Sequence, residues 1–176
     1  MRFLLVERLP SRAVQIAEAL SRFRAIALHA TDVAQARTLV AREGRVDLVV
    51  LSELAQAGDA FGLVEWLRAR CGDVPILFLG EDGHIEHAVR AIQGGARGYV
   101  VRRDGYLPRL AEEVARLLRE SQAEAALTRS AFESEERRRL AAVLARHRWN
   151  VSAAARALGM SRGKLRSRLA ALQMDR

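Results

Sequence analysis

Val46-Asp47-Leu48-Val49-Val50-Leu51 is apolar at every position except Asp47. A strand with one wet face alternates apolar and polar side chains, so a short and nearly continuous apolar run predicts a strand buried on both faces. Such a strand needs a covering layer on each side, and the sequence around it supplies them. Phe3-Leu4-Leu5-Val6 and Ala25-Ile26-Ala27-Leu28 lie before it, and Ile76-Leu77-Phe78-Leu79 (led in by Pro75) and Gly98-Tyr99-Val100-Val101 lie after it. Helical patterns fall between these runs. One opens at Pro10 and Ser11 and reaches about Phe23, with Ala13, Ile16, Ala17 and Leu20 on one face. A second is expected to be capped by Thr31 and to reach about Arg42. A third covers 61–70 with Leu63, Val64 and Leu67 on one side, and a fourth covers 84–92 and stops at Gly94-Gly95. The last carries Pro108 in its first turn, where proline is tolerated. Five strand–helix alternations predict an α/β fold, a doubly wound five-stranded parallel sheet in the order 2-1-3-4-5, over residues 1–120.

Composition divides the chain in the same place. Of 176 residues half are apolar, enough for a sizeable core, and the formal charge is +8. Residues 1–121 hold seventeen arginines against sixteen acids, whereas 122–176 hold eleven arginines and Lys164 against five acids. The excess cation therefore sits in the tail, which suits a polyanionic partner there and a protein-like surface elsewhere. Cys71 is the only cysteine, which excludes a disulfide framework and a cysteine-rich zinc site. His84 and His87 are three apart and can meet on a helix, but no third ligand is near, so no metal site is expected. The apolar run 3–6 is too short for a signal peptide and nothing approaches a membrane span, which predicts a cytoplasmic protein that does not contact membranes. There is no nucleophile–base pair, no metal set and no glycine-rich phosphate loop, so neither catalysis nor a cofactor is expected.

The tail turns on Asn150-Val151-Ser152-Ala153-Ala154-Ala155-Arg156-Ala157-Leu158-Gly159-Met160-Ser161-Arg162-Gly163-Lys164-Leu165-Arg166-Ser167-Arg168-Leu169. Ser152 precedes an alanine-rich run and is expected to cap a first helix; Gly159 can take the left-handed conformation that ends it. Ser161 then caps a second helix with Leu165 and Leu169 on one face and Arg162, Lys164, Arg166, Ser167 and Arg168 on the others. A short helix with leucines behind and cations in front can enter a major groove. An amphipathic hairpin with a solvated basic face is the plainer alternative. Before it, a helix over about 135–147 carries Leu140, Val143 and Leu144, which with Leu158 form a small core that Trp149 is expected to join. Residues 121–133 read as a helical stalk or a short ordered linker, with Ser130-Ala131-Phe132-Glu133 at capping-box spacing for the next helix. The expected divisions are thus 1–120, a linker over 121–133, and an all-α module over 134–176.

From Trp149-Asn150 to Leu169 the tail resembles the DNA-binding end of Fis-type regulators: W-N, A-A, L-G, a hydrophobic residue, S-R, L, a basic pair and L. The resemblance implies a homodimer that sets two recognition helices on an inverted repeat of double-stranded DNA. It implies a base-edge contact for Arg162, base or phosphate contacts for Lys164 and Arg166, and phosphate contacts for Asn150, Ser152, Ser161, Ser167 and Arg168. Residues 1–120 resemble a response-regulator receiver through Val46–Leu51, Pro75–Leu79 and Gly95-Ala96-Arg97-Gly98-Tyr99-Val100-Val101. A working receiver uses an acidic pair for magnesium, an aspartate nucleophile, a hydroxyl residue and a lysine. The corresponding positions here are Glu7-Arg8, Ser52, Gly80 and Arg102, and only Glu7 keeps a suitable group. The preferred reading is a solvated salt-bridged cluster of Glu7, Arg8 and Arg102; a sharper one has Arg8 and Arg102 bind a small anion. Tyr99 is expected to be a partly buried strand residue.

These features predict an atypical response regulator: a sequence-specific DNA-binding transcription regulator whose receiver works without phosphorylation. Two alternatives stay open. One is an architectural, weakly specific DNA binder; the other is a receiver serving mainly to dock a protein partner or a small ligand.

Overall fold

The computed structural model describes residues 1–53, 60–81 and 83–174. Their contacts divide the chain into two compact units, Met1–Gln122 and Ala123–Arg176.

In the first unit the strands are β1 (Arg2–Val6), β2 (Ile26–Ala30), β3 (Leu48–Ser52), β4 (Ile76–Gly80) and β5 (Gly98–Val101). All pair in parallel, in the order β2-β1-β3-β4-β5. The helices are α1 (Pro10–Ala19), α2 (Val33–Glu43), α3 (Ala60–Cys71), α4 (Ile85–Gln93) and α5 (Tyr106–Arg146). Successive side chains of a strand face opposite ways, and the core follows that rule. Leu4, Val6, Val49, Leu51, Ile76 and Phe78 pack with α2, α3 and α4 residues such as Val40, Leu63, Leu67 and Ala91. Phe3, Leu5, Leu48, Val50, Leu77, Leu79 and Val100 pack with Ile16, Leu110, Val114 and Leu117 of α1 and α5. Both-face burial of β3 and β4 is complete.

Three local expectations are corrected. The cap of α2 is Asp32, whose carboxylate accepts the Gln35 N–H at 2.8 Å, while Thr31 donates instead to the Gln35 side chain. A carboxylate at the cap satisfies an orphan helix N–H more strongly than a hydroxyl. The first helix stops at Ala19 and is followed by a single tighter turn, Ser21–Phe23, because Arg24 takes the left-handed conformation (φ 49°). Ser130–Glu133 starts no helix. It lies inside α5, where arginine, glutamate, leucine and alanine keep the propensity high and no glycine or proline interrupts.

The second unit comprises the last part of α5 with α6 (Val151–Ala157) and α7 (Arg162–Ala171). Its core is Leu140, Leu144, Ala154, Ala155, Leu165, Leu169 and Leu172, with Val143, Leu158 and Met160 half-buried against it. Among the described residues no helix is long and apolar enough to cross a membrane.

Candidate nucleic-acid interface and the altered receiver site

In the tail, α6 and α7 are separated by Leu158-Gly159-Met160-Ser161, with Gly159 at φ 65° closing α6. Ser161 accepts the Lys164 N–H at 3.2 Å and caps α7, as its position predicted. The cap of α6 is Asn150, which accepts the Ala153 N–H at 3.1 Å; Ser152 is already inside the helix and half-buried. An asparagine two positions earlier wins because the chain turns sharply before it: Arg148 and Trp149 both take positive φ (49° and 63°). That turn also corrects the expectation for Trp149, which is 40% exposed and does not belong to the core.

Leu165 and Leu169 are buried, and Arg162, Lys164, Arg166 and Ser167 are exposed. Fewer than three helical turns thus put three cations and a hydroxyl on the open side of a helix whose leucines fasten it from behind. Such side chains can reach base edges and phosphates. Arg168 is different: it is half-buried and its Nε is paired with Glu136 of α5.

In the first unit, parallel strands bring Glu7, Ser52, Gly80 and Arg102 to their carboxyl ends, beside the β1–β3 position where the strand order reverses and ligands usually bind. Glu7 and Ser52 are each 1% exposed and the Arg102 side chain is 8% exposed. Arg102 Nη2 donates to Glu7 Oε2 at 2.7 Å and to Ser52 Oγ at 2.8 Å. Its Nε faces Glu81 Oε1 at 2.9 Å, and Nη1 donates to the Tyr106 hydroxyl at 3.4 Å. The other Glu7 oxygen accepts the Leu9 N–H at 3.0 Å, and Arg12 faces Glu81 at 3.4 Å. Burial alone would raise the Glu7 carboxyl, but the Leu9 N–H, the Ser52 hydroxyl and the Arg102 guanidinium outweigh it and hold it below the usual glutamate value. Burial raises the Tyr106 phenol, which stays neutral.

The solvated cluster expected from sequence is therefore a buried one, and its membership changes. Arg8 is exposed and takes no part; Glu81, Tyr106 and Arg12 replace it. Glu81 follows Gly80 directly, and Tyr106 opens α5 four residues after Arg102. A two-arginine anion site is not formed, because Arg102 is already engaged by two carboxylates. Nor do these residues suit magnesium, which needs free carboxylate oxygens: those of Glu7 are held by an amide N–H, a hydroxyl and a guanidinium. Gly80 has a separate consequence. A Cβ there would lie 1.8 Å from the Tyr99 hydroxyl, so the half-buried Tyr99, stacked on Phe78 at 5.8 Å, occupies the space of the missing side chain. His84 and His87 do meet, with ring centroids 5.6 Å apart, but His87 is paired with Glu53. Among the described residues no three metal-binding side chains gather.

Residues 131–172 match the family described as bacterial regulatory protein, Fis family. The matched stretch, which takes in the end of α5 with α6 and α7, is similar to a Fis-type helix-turn-helix segment. No curated protein matches it. Among solved structures, the receiver domain of NtrX from Brucella abortus is 24% identical with a TM-score of 0.60, over 66% of this chain and 98% of that one. NtrX itself matches 73% of this chain at 23% identity and a TM-score of 0.65, but this chain spans only 29% of its length. A response regulator from Burkholderia pseudomallei, solved with a phosphorylated aspartic acid, a calcium ion and citrate, is 24% identical with a TM-score of 0.58. That match covers 99% of this chain and 97% of the other. At such identities these likenesses concern the fold.

Proposed function

We propose that the chain is a sequence-specific transcription regulator that acts in the cytoplasm without phosphorylation of its receiver and without a catalytic step of its own. The observation that carries the reading is α7, a capped helix with Arg162, Lys164, Arg166 and Ser167 exposed over a buried leucine seam. Arg162 reads a base edge, Lys164 and Arg166 meet bases or phosphates, and Asn150, Ser161 and Ser167 lie against the backbone. The working divisions are 1–120, 121–133 and 134–176, with the last acting as a homodimer on an inverted repeat, since a module this small gains stability by association.

Phosphorylation independence rests on Ser52 standing where the family's nucleophile is an aspartate, and on Arg102 filling the pocket around it. Incubation with acetyl phosphate or beryllofluoride is expected to leave mass, melting temperature and DNA affinity unchanged; a stable phosphoryl adduct would refute this. The regulator reading itself is tested by selection from sheared genomic DNA. Discrete peaks sharing an inverted repeat are expected, lost in Arg162→Ala. Broad recovery with a steep salt dependence, surviving that substitution, would instead mark an architectural binder.

A further inference from the structure

Arg168 was read from sequence as a phosphate contact, and its surroundings give it a different task. It projects from the flank of α7 toward α5, is half-buried, and is paired through Nε with Glu136, whose side chain is only 19% exposed. One residue further along α5, Arg137 Nη2 donates to the Leu172 carbonyl at 2.6 Å, at the C-terminal end of α7. The carbonyls that end a helix lack partners within it and carry partial negative charge, so a guanidinium there is well placed. The same helices also share apolar contacts, Leu140 and Leu144 with Leu165, Leu169 and Leu172.

Leucine packing alone leaves a helix some freedom to roll, because aliphatic side chains repack at small cost. Two polar contacts, at adjacent α5 residues but at separate points along α7, remove that freedom. Roll decides which of Arg162, Lys164 and Arg166 faces base edges and which faces phosphates, and a bidentate base contact tolerates little misplacement.

We propose that Glu136 and Arg137 are positioning residues that fix the roll of the recognition helix, Glu136 through Arg168, and that Arg168 is spent on this contact rather than on a phosphate. The inference rests on α7 being the recognition helix. It assigns part of the sequence discrimination to an acidic residue that cannot itself attract DNA.

The test uses the full chain, a duplex selected by the wild type from a randomised pool, and a scrambled duplex of the same composition. Four proteins are compared: wild type, Glu136→Gln, Arg168→Gln and the exchanged pair Glu136→Arg with Arg168→Glu. Glu135→Gln serves as control, since Glu135 is 70% exposed and is paired with Arg138 one turn away. Affinity for both duplexes is measured across a salt series, with melting temperatures alongside. Each single variant is expected to lower the selected-to-scrambled affinity ratio about fivefold, the size of a well-placed partly exposed pair. The exchanged pair should recover most of it, and the logarithmic salt slope of Arg168→Gln should match the wild type. If Arg168 met a phosphate, its loss would reduce that slope by about 0.9 and the exchanged pair would bind worst; either result overturns the proposal. An unchanged ratio in Glu136→Gln overturns it as well. Wild type that selects no sequence, while the exchanged pair still restores melting temperature, would instead defeat the regulator reading, and the positioning role with it.

Discussion

Arg102 and Arg162 are the same residue type in opposite situations. Arg102 is 8% exposed and is held by Glu7, Ser52, Glu81 and Tyr106, so its charge is engaged within the first unit. Arg162 is exposed at the first turn of a helix whose buried face is leucine. A buried cation has lost water and must be repaid by neighbouring carboxylates, whereas an exposed one keeps water until something displaces it. The first belongs to the stability of the fold; the second is available to a partner. The first unit turns the charge of Arg102 inward, and the tail presents that of Arg162 outward.

The comparison breaks most readily at Arg102. Arg102→Met leaves Glu7 buried without its cation, which is expected to destabilise the first unit by about 3–5 kcal/mol. Urea denaturation followed by the fluorescence of Trp66, which packs against the sheet core, would show this in a Trp149→Phe background. A loss under about 1 kcal/mol would mean that the cluster behaves as an exposed one. Adding Glu7→Leu to Arg102→Met should recover much of the loss, because removing both charges removes the burial cost of each.

Arg162→Ala is the counterpart. It should leave stability within about 0.5 kcal/mol, as surface substitutions usually do. It should cost about 1–3 kcal/mol in binding to a selected duplex and relax specificity at the base pair it reads. Equal loss on selected and scrambled DNA would reassign Arg162 to a phosphate.

The pH dependence sharpens the same contrast. Glu7 is held below its ordinary value in the folded state, so it contributes stability that is fully present above the ordinary glutamate range. As pH falls through that range the unfolded chain takes up a proton first, and stability is lost progressively until the folded carboxylate is protonated too. Acid titration of the Trp66 signal should therefore show a falling limb below about pH 4.5, and Glu7→Gln should flatten it. An unaltered limb in that variant would place the acid sensitivity elsewhere, for instance at Asp47 or Glu113, which are also held low.

How far the sequence reached can be followed in these same residues. The strands were legible because Leu48–Leu51 and Ile76–Leu79 are apolar without alternation, as strands covered on both faces are, and helical patterns alternate with them. The place of Ser52 was legible because it needs only the position of one strand end. The burial of the cluster was not. Whether Arg8 or Arg102 turns inward depends on which strand end closes over Glu7, and only the packed structure brings Tyr106 and Glu81 there. In the tail, the cap at Ser161 was legible from local spacing, but Asn150 displaced Ser152 because Arg148 and Trp149 adopt left-handed backbone, which propensity does not foretell. The pairing of Arg168 was not legible for a related reason: helical spacing shows which residues share a face, not that Glu136 lies across the interface.

The smallest expected effect lies at Gly163, in the first turn of α7. Glycine in a helix costs roughly 0.5–1 kcal/mol relative to alanine, so one on an exposed face needs a reason. The fold supplies none: its φ is not positive, and a Cβ added there meets nothing within 4 Å. Gly163→Ala should therefore raise the stability of the tail by a few tenths to about 1 kcal/mol, read as a higher melting temperature. If α7 lies in a major groove with this face against DNA, the added methyl group instead meets the partner, and affinity for the selected duplex should fall while stability rises. The two measurements moving in opposite directions would show a residue chosen for the partner at the expense of the fold, the reverse of Arg102. Stability and affinity rising together would place Gly163 away from the DNA and turn the reading face of α7 toward Lys164.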